Sequence, residues 1–340
     1  MNTKMRYVFA LGVLLAAPLV VYPVFLMKLL CFALFACAFN LLAGFTGLLS
    51  FGHAAFFGSA GYIGGYLLRE TGVPFEMGLI LGTLTAALVG FVMGALAIRR
   101  QGIYFTMITL ALAQMAYFIF LQAPFTGGED GMQSVPRGRL LGAVDLSNDM
   151  TMYYVVLAIC IGGFAVIART VHSPFGQVMK AIKDNEPRAI SLGYDVDKYK
   201  LLAFVLSAAL SGLAGITKTV VLGFETLTDV HWGLSGLVVL MTLVGGLGTL
   251  TGPVVGAIVI IALENRLGDL GDLMARLTTI EWFRSLGESV TIVTGLIFIV
   301  CVLAFRRGIV GELAGGSLKW TKRQRSAVEN PVIKPVAETS

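Results

Sequence analysis

The sequence predicts an all-α polytopic membrane protein, a bundle of about ten transmembrane helices (range eight to ten) with a short helical piece on the cytoplasmic side. Three observations carry this. Hydrophobic residues are 56% of the 340-residue chain, with a mean hydropathy of +0.83. Charged residues are only 13%, about half of the roughly 25% usual in a soluble domain. The apolar residues also gather into runs close to the ~20 residues a helix needs to cross a bilayer.

Taken in order, the runs are 7–27, 29–45, 52–69, 76–98, 103–122, 152–169, 201–222, 233–248, 253–268 and 289–305. The first follows a basic start, like a signal peptide, but its apolar part is long enough to span, so an uncleaved first helix is expected. The runs at 29–45, 233–248 and 253–268 are short and glycine-rich at their ends, so they read as full spans or as broken, re-entrant ones. Gly61/Gly65, Gly78/Gly82, Gly90/Gly94 and Gly252/Gly256 repeat at the four-residue spacing that lets helices approach closely. The four cysteines, Cys31, Cys37, Cys160 and Cys301, lie in apolar runs without metal-ligand spacing and read as small core residues. Residues 1–305 therefore form one transmembrane domain. Periodicity fades after Arg307, which makes 306–340 a flexible cytoplasmic tail.

Charge placement orients the bundle. With ten spans and the N-terminus inside, 17 of the 25 Lys and Arg residues fall on the inner side and seven on the outer side, with Lys218 inside a span. Of the 20 acidic residues, 13 face outward or sit at outer helix ends. The positive-inside rule then puts both termini and the 171–200 loop in the cytoplasm. The basic pI of about 9.0 is thus a membrane signature and not one of nucleic-acid binding. The outer connections are 123–151, which contains TGGEDG, and 267–288. The second places Leu270, Leu273, Met274, Leu277, Ile280 and Phe283 on one face, the pattern of an amphipathic helix lying in the interface.

The 171–200 stretch is the one long polar interruption. Ser173 is a good N-cap with Pro174 at the first helical position. Phe175, Val178, Met179 and Ile182 recur at helical spacing beside Lys180 and Lys183. Asp184-Asn185-Glu186-Pro187 stops that helix and caps a second, brief one ending near Leu192, with Gly193 just beyond. A short capped helix between long apolar spans is a part built to be gripped by another protein.

The remaining polar groups carry little chemistry. The 44–58 stretch sets four glycines with Thr46, Ser50 and His53 between apolar runs, and reads as part of a solute path or as a tight inner turn. A second such break spans 245–253. Asn40 and Gln114 join Thr46, Ser50 and His53 as candidate path residues, being polar groups in or beside apolar spans. Lys218 and Glu264 sit near outer helix ends, where snorkelling accounts for them. The ionisable relay of a proton- or sodium-driven carrier is therefore not expected. Gly212–Thr219 mimics a phosphate-binding loop but has Thr217 where a glycine belongs and lies in a span. No catalytic residue, metal site or cofactor is indicated. A pore without an engine implies a partner that hydrolyses nucleotide.

Several stretches together resemble a known family. LLAGFTGLLSFGHAAFFG at 41–58, RRQGIYFTMITLALAQ at 99–114, TGGEDG at 126–131, the 173–216 segment and GGLGTLTGPVVGA at 245–257 are similar to the LivM-type permease of branched-chain amino acid ABC transporters. The match runs across most of 29–305 in the same order. The resemblance implies a bacterial inner-membrane subunit importing branched-chain or related amino acids, or urea and short amides in sister systems. The rival from another class is a self-sufficient secondary carrier. The resemblance implies a LivH-type permease as heterodimer partner, two cytoplasmic ATPase subunits, a periplasmic solute-binding protein and surrounding lipid. It assigns ATPase coupling to Gly176, Lys180, Asn185, Glu186, Arg188 and Gly193. It marks Thr126, Gly127, Gly128, Glu129, Asp130 and Gly131 as the periplasmic loop, where the acidic pair replaces the Pro-Asn more usual in that family.

Overall fold

The structure, a computed structural model, describes residues 12–140, 142, 144–278, 295, 296, 299 and 308–315; side chains of 266–278 and 313–315 lie outside the description. After a helical turn at 12–16 and a 3-10 turn at Ala17–Leu19, the chain forms α1 (Pro23–Phe45), α2 (His53–Glu70), α3 (Phe75–Ala97) and α4 (Ile103–Gln122). Then come α5 (Asp149–His172), α6 (Pro174–Asp184), α7 (Glu186–Ser191) and α8 (Val196–Leu222). The last described are α9 (Trp232–Gly245), α10 (Gly252–Thr278) and α11 (Gly308–Gly315). Among the described residues five helices, α1, α3, α4, α5 and α8, are long and apolar enough to cross a membrane. The only strands described are the two-residue pair Arg139–Leu140 and Val144–Asp145.

The first two expected spans are drawn differently. Pro18 and Pro23 end one helical piece and start the next, so α1 passes through Lys28 instead of starting after it. The Lys28 ammonium lies 5.9 Å from the Phe32 ring centre, one turn along the helix. The expected tail contains order at its start: Gly308–Gly315 is helical and packs on α9 and α10, with Gly308 against Gly246. The expected 267–288 interface helix lies outside the described side chains, although α10 continues as backbone to Thr278. The 289–305 span is described only at 295, 296 and 299, and Cys301 and 316–340 not at all.

α8 is the pillar of the bundle, packed on α1, α2 and α3. Small residues make the contact close: Gly90 meets Ala208, Gly212 meets Ala60 and Ala86, and a Cβ on Gly82 would come within 2.9 Å of the Ala60 carbonyl oxygen. Dispersion between such closely approached backbones, and not transfer from water, holds helices together in lipid. α4 by contrast buries only Phe105, Thr109, Ala113 and Phe120. Cys31, Cys37 and Cys160 are buried, as expected of small core residues.

The topology sorts the connections to two ends. The 46–52 and 98–102 turns gather at the α6–α7 end. The 71–74 turn, the long 123–148 connection and the 223–231 loop gather at the other. Both the 12–16 turn and the first turn of α5 belong to the second end, where Tyr153 donates to the Leu14 carbonyl at 2.6 Å.

Candidate functional site

At the α6–α7 end every local signal becomes a bond. Ser173 Oγ accepts from the Gly176 N–H at 3.3 Å and Asn185 Oδ1 from the Arg188 N–H at 3.0 Å, capping α6 and α7. α7 closes with the Gly193 N–H donating to Ile190 O (2.9 Å) and the Tyr194 N–H to Ala189 O (3.2 Å). That ending needs φ of +87° at residue 193, a value glycine adopts without penalty. Asp195 then caps α8 and pairs with Lys198 at 2.7 Å. The Lys198 side chain first, and its backbone N–H second, hold the Asp195 carboxyl below the ordinary carboxylate range.

The expected apolar stripe of α6 is present. Met179 and Ile182 are buried, and Ile182 shares a small core with Ala189 and Val196. Phe175 stacks on Tyr199 at 5.5 Å. α6 leaves α5 so abruptly that a Cβ on Gly176 would strike the carbonyls of Thr170 and Val171. Lys180 lies 5.8 Å from the Phe45 ring centre.

α7 is pinned from beneath. Glu186 Oε1 accepts from Lys200 Nζ at 2.6 Å and from Gln101 Nε2 at 2.9 Å, which joins α7 to α8 and to the α3–α4 turn. Glu186 thus faces inward, while Asn185, Arg188 and Gly193 are exposed. So are three apolar side chains on the outer face: Ile190 (57%), Leu192 (69%) and Tyr194 (41%). Beside α7 opens a polar cleft of about 440 Å³ bordered by Thr46, Gln101, Lys183, Asn185, Glu186 and Lys200.

The five candidate path residues lie on α1, α2, α4 and the 46–52 turn. Of the five only Thr46 borders the cleft. Asn40 is a clamp: its Nδ2 donates to Thr249 O and its Oδ1 accepts from the Gly248 N–H, both at 2.8 Å, holding the 246–251 turn against α1. Ser50 accepts from the Gly52 N–H at 3.1 Å. Ser207 donates to the Ala38 carbonyl and so accepts from His53 Nε2 at 2.9 Å, which joins α2, α8 and α1. Gln114 is half-buried on α4, its Oε1 without a partner among the described residues.

At the other end, the TGGEDG loop is a clasp. Thr126 is buried and donates to Phe120 O and Ala123 O, both at 2.6 Å. Gly127, Gly128 and Gly131 all take positive φ, and Glu129 and Asp130 stay exposed. Met132 and Glu225 then exchange backbone hydrogen bonds of 2.9 Å each way, fastening this loop to the 223–231 loop.

Beneath that clasp lies what sequence reasoning missed. Lys218 does not snorkel: it is 3% exposed and pairs with Asp229 at 2.5 Å and Glu225 at 3.3 Å. A buried ionisable cluster is therefore present where none was expected. The signal available was the run Lys218, Glu225, Asp229 across one span end, within the reach of a single loop. Burial, opposed by Lys218 and reinforced by Asp229, pushes the Glu225 carboxyl up to about 8. Glu264, the other suspected snorkeller, is half-buried on α10.

Residues 24–302 match the family described as branched-chain amino acid transport system / permease component. The high-affinity branched-chain amino acid transport system permease protein LivM of Escherichia coli (strain K12) is 26% identical over 256 residues, covering 68% of this chain and 60% of that one. The fructose import permease protein FruG of Bifidobacterium longum (strain NCC 2705) is 26% identical over 254 residues, 71% of this chain and 70% of that one. The autoinducer 2 import system permease protein LsrC of Klebsiella pneumoniae is 28% identical over 193 residues, 55% and 53% of the two chains. The chain thus spans about 60% of the length of the LivM relatives it matches. The solved structure of PsaBC from Streptococcus pneumoniae in complex with Fab aligns over 94% of this chain and 100% of that one, at 14% identity and a TM-score of 0.41.

Proposed function

The chain belongs to the branched-chain amino acid transport system permease family, and from that membership we propose that it is the membrane subunit of an ATP-driven importer. Branched-chain or related amino acids, released by a periplasmic binding protein, pass through it into the cytoplasm; urea and short amides are the alternative cargo. A LivH-type permease completes the pore, and two ATPase chains on the cytoplasmic side supply the work. Both termini and the α6–α7 end face the cytoplasm of a bacterial inner membrane. The amino-acid assignment follows the LivM relatives, although sugar and autoinducer permeases are also related to this chain.

One observation carries the reading: α7 is a rigid, doubly capped helix, pinned by Glu186 to Lys200 and Gln101, and with the turn after it leaves Ile190, Leu192 and Tyr194 exposed. A short rigid helix with an apolar outer face fits a groove on a partner. Movement of the partner then reaches α8 through the Glu186–Lys200 pair and α1 through the contacts of α6. Gly193 sets the shape of the helix end, and Arg188 lies on the exposed side.

The test is co-purification of the ATPases with the double variant Glu186→Ala/Gly193→Ala, which is expected to insert normally and to lose the ATPases. Normal co-purification with normal transport would overturn the assignment. The rival, a self-sufficient secondary carrier, draws on the buried Lys218–Glu225–Asp229 cluster. It predicts uptake by this chain alone in proteoliposomes without nucleotide.

A further inference from the structure

The cluster under the 126–132 clasp has a charge imbalance that its geometry localises. Lys218 and Asp229 form a close pair, and Asp229 Oδ2 also accepts from the Thr226 N–H (3.2 Å) and hydroxyl (2.8 Å). That pair is neutral and well satisfied. Glu225 is the surplus carboxylate, and its side chain is fully buried. Its two oxygens differ. Oε2 lies 2.6 Å from Thr219 Oγ1, which is also 2.9 Å from the Gly215 carbonyl oxygen, and accepts from Lys218 at 3.3 Å, whereas Oε1 is buried and has no partner among the described residues. The Tyr62 hydroxyl, also buried, has none either. No Cβ stands at Gly61, where one would lie 2.6 Å from Oε1. A bare carboxylate oxygen in such a place is costly, and a neutral carboxylic acid there costs less.

We propose that this cluster is a proton-binding site, with the proton held on the Glu225 carboxyl, and that its occupancy locks the 223–231 loop to the 126–132 loop. The proton comes from solvent and returns to it when the loops part. Protonated, Glu225 leaves Lys218 to Asp229 alone, and the site is neutral. Deprotonated, it sets a second negative charge beside Asp229, around one ammonium, and pushes the loop away from Met132. The groups that face the site are Lys218 and Thr219 from α8, Tyr62 from α2 and Asp229 from its own loop. Tyr117 of α4 lies behind Tyr62 and contacts His231 at the start of α9. The elevated carboxyl of Glu225 accords with this arrangement.

The experiment uses the full chain purified in detergent, with hydrogen exchange followed at the amides of Met132 and Glu225 between pH 5.5 and 9 and corrected for intrinsic exchange. Because the locked state binds the extra proton, protection should fall about tenfold per pH unit as pH rises toward about 8, then level off. Glu225→Gln keeps the neutral shape and should abolish that slope. Asp229→Asn removes the like charge while leaving Glu225 in place, and should move the levelling point to lower pH. A purely structural ion cluster would give the same slope in the wild type and in Glu225→Gln, and that result overturns the proposal. Should Glu225→Gln not fold, a wild-type profile without slope, or a levelling point unmoved in Asp229→Asn, overturns it equally.

Discussion

Lys183 reaches back from α6 and donates a 2.6 Å hydrogen bond to the carbonyl oxygen of Gly44, in the last turn of α1. That carbonyl belongs to a helix end with orphan acceptors, and an ammonium is the group best suited to fill one. Gly44 also abuts the Gly248 backbone, which Asn40 holds. One lysine thus joins the end of the capped α6 to α1, and α1 to the 246–251 turn.

Lys183→Met keeps the stem and removes the ammonium. Because the bond is partly exposed, thermal unfolding should show a loss of only about 1 kcal/mol. In the assembled transporter the same variant should uncouple ATP hydrolysis from uptake, read as ATPase turnover with reduced transport. Unchanged coupling would show that α6 does not act through α1.

The Glu186–Lys200 pair invites a double-mutant cycle. Lys200 is 3% exposed, so Glu186→Ala leaves a buried charge unpaired and should cost about 3 kcal/mol in the unfolding midpoint. Glu186→Ala/Lys200→Met, measured beside Lys200→Met alone, removes both charges and should recover most of that loss. Additive losses would mean that the pair is not coupled.

Two glycines make opposite predictions. Gly176→Ala places a Cβ against the Thr170 and Val171 carbonyls, backbone that cannot yield, and should cost about 2 kcal/mol or more. Gly162, inside α5, has nothing within 4 Å of where its Cβ would stand. Gly162→Ala should raise stability by up to about 1 kcal/mol through helix propensity. Melting curves of the two variants side by side check both signs.

Ile190→Ser/Leu192→Ser changes side chains that touch little within this chain. The melting temperature of the isolated chain should stay within the range of an ordinary surface substitution, about 0.5 kcal/mol. Binding of the ATPase chains, measured by pull-down from detergent extracts, should fall at least tenfold. Undiminished binding would place the docking surface elsewhere.

Much of this fold was legible because its signals are local. The caps at Ser173 and Asn185 and the glycine stop at 193 act within four residues of themselves, and each appears where the chain chemistry places it. The stripe of α6 is equally local, a matter of spacing on one helix. Lys218 was misread because a lone cation in an apolar run says nothing of what lies opposite. Lys218 found two acids brought under it by the turn that follows α8.

The sequence by itself determined the all-helical class, the positions of most of the described long helices, the short capped helix and the family. Composition, periodicity and capping depend only on near neighbours along the chain, so these follow without any folding. Only the tertiary structure decided that Asn40 is a clamp across 209 positions, that Glu186 turns inward to Lys200, and that Lys218 sits in a buried charged cluster. Partner choice among polar groups in an apolar interior is settled by which helices pack together, because an unpaired one is costly and only the packing brings a partner within reach.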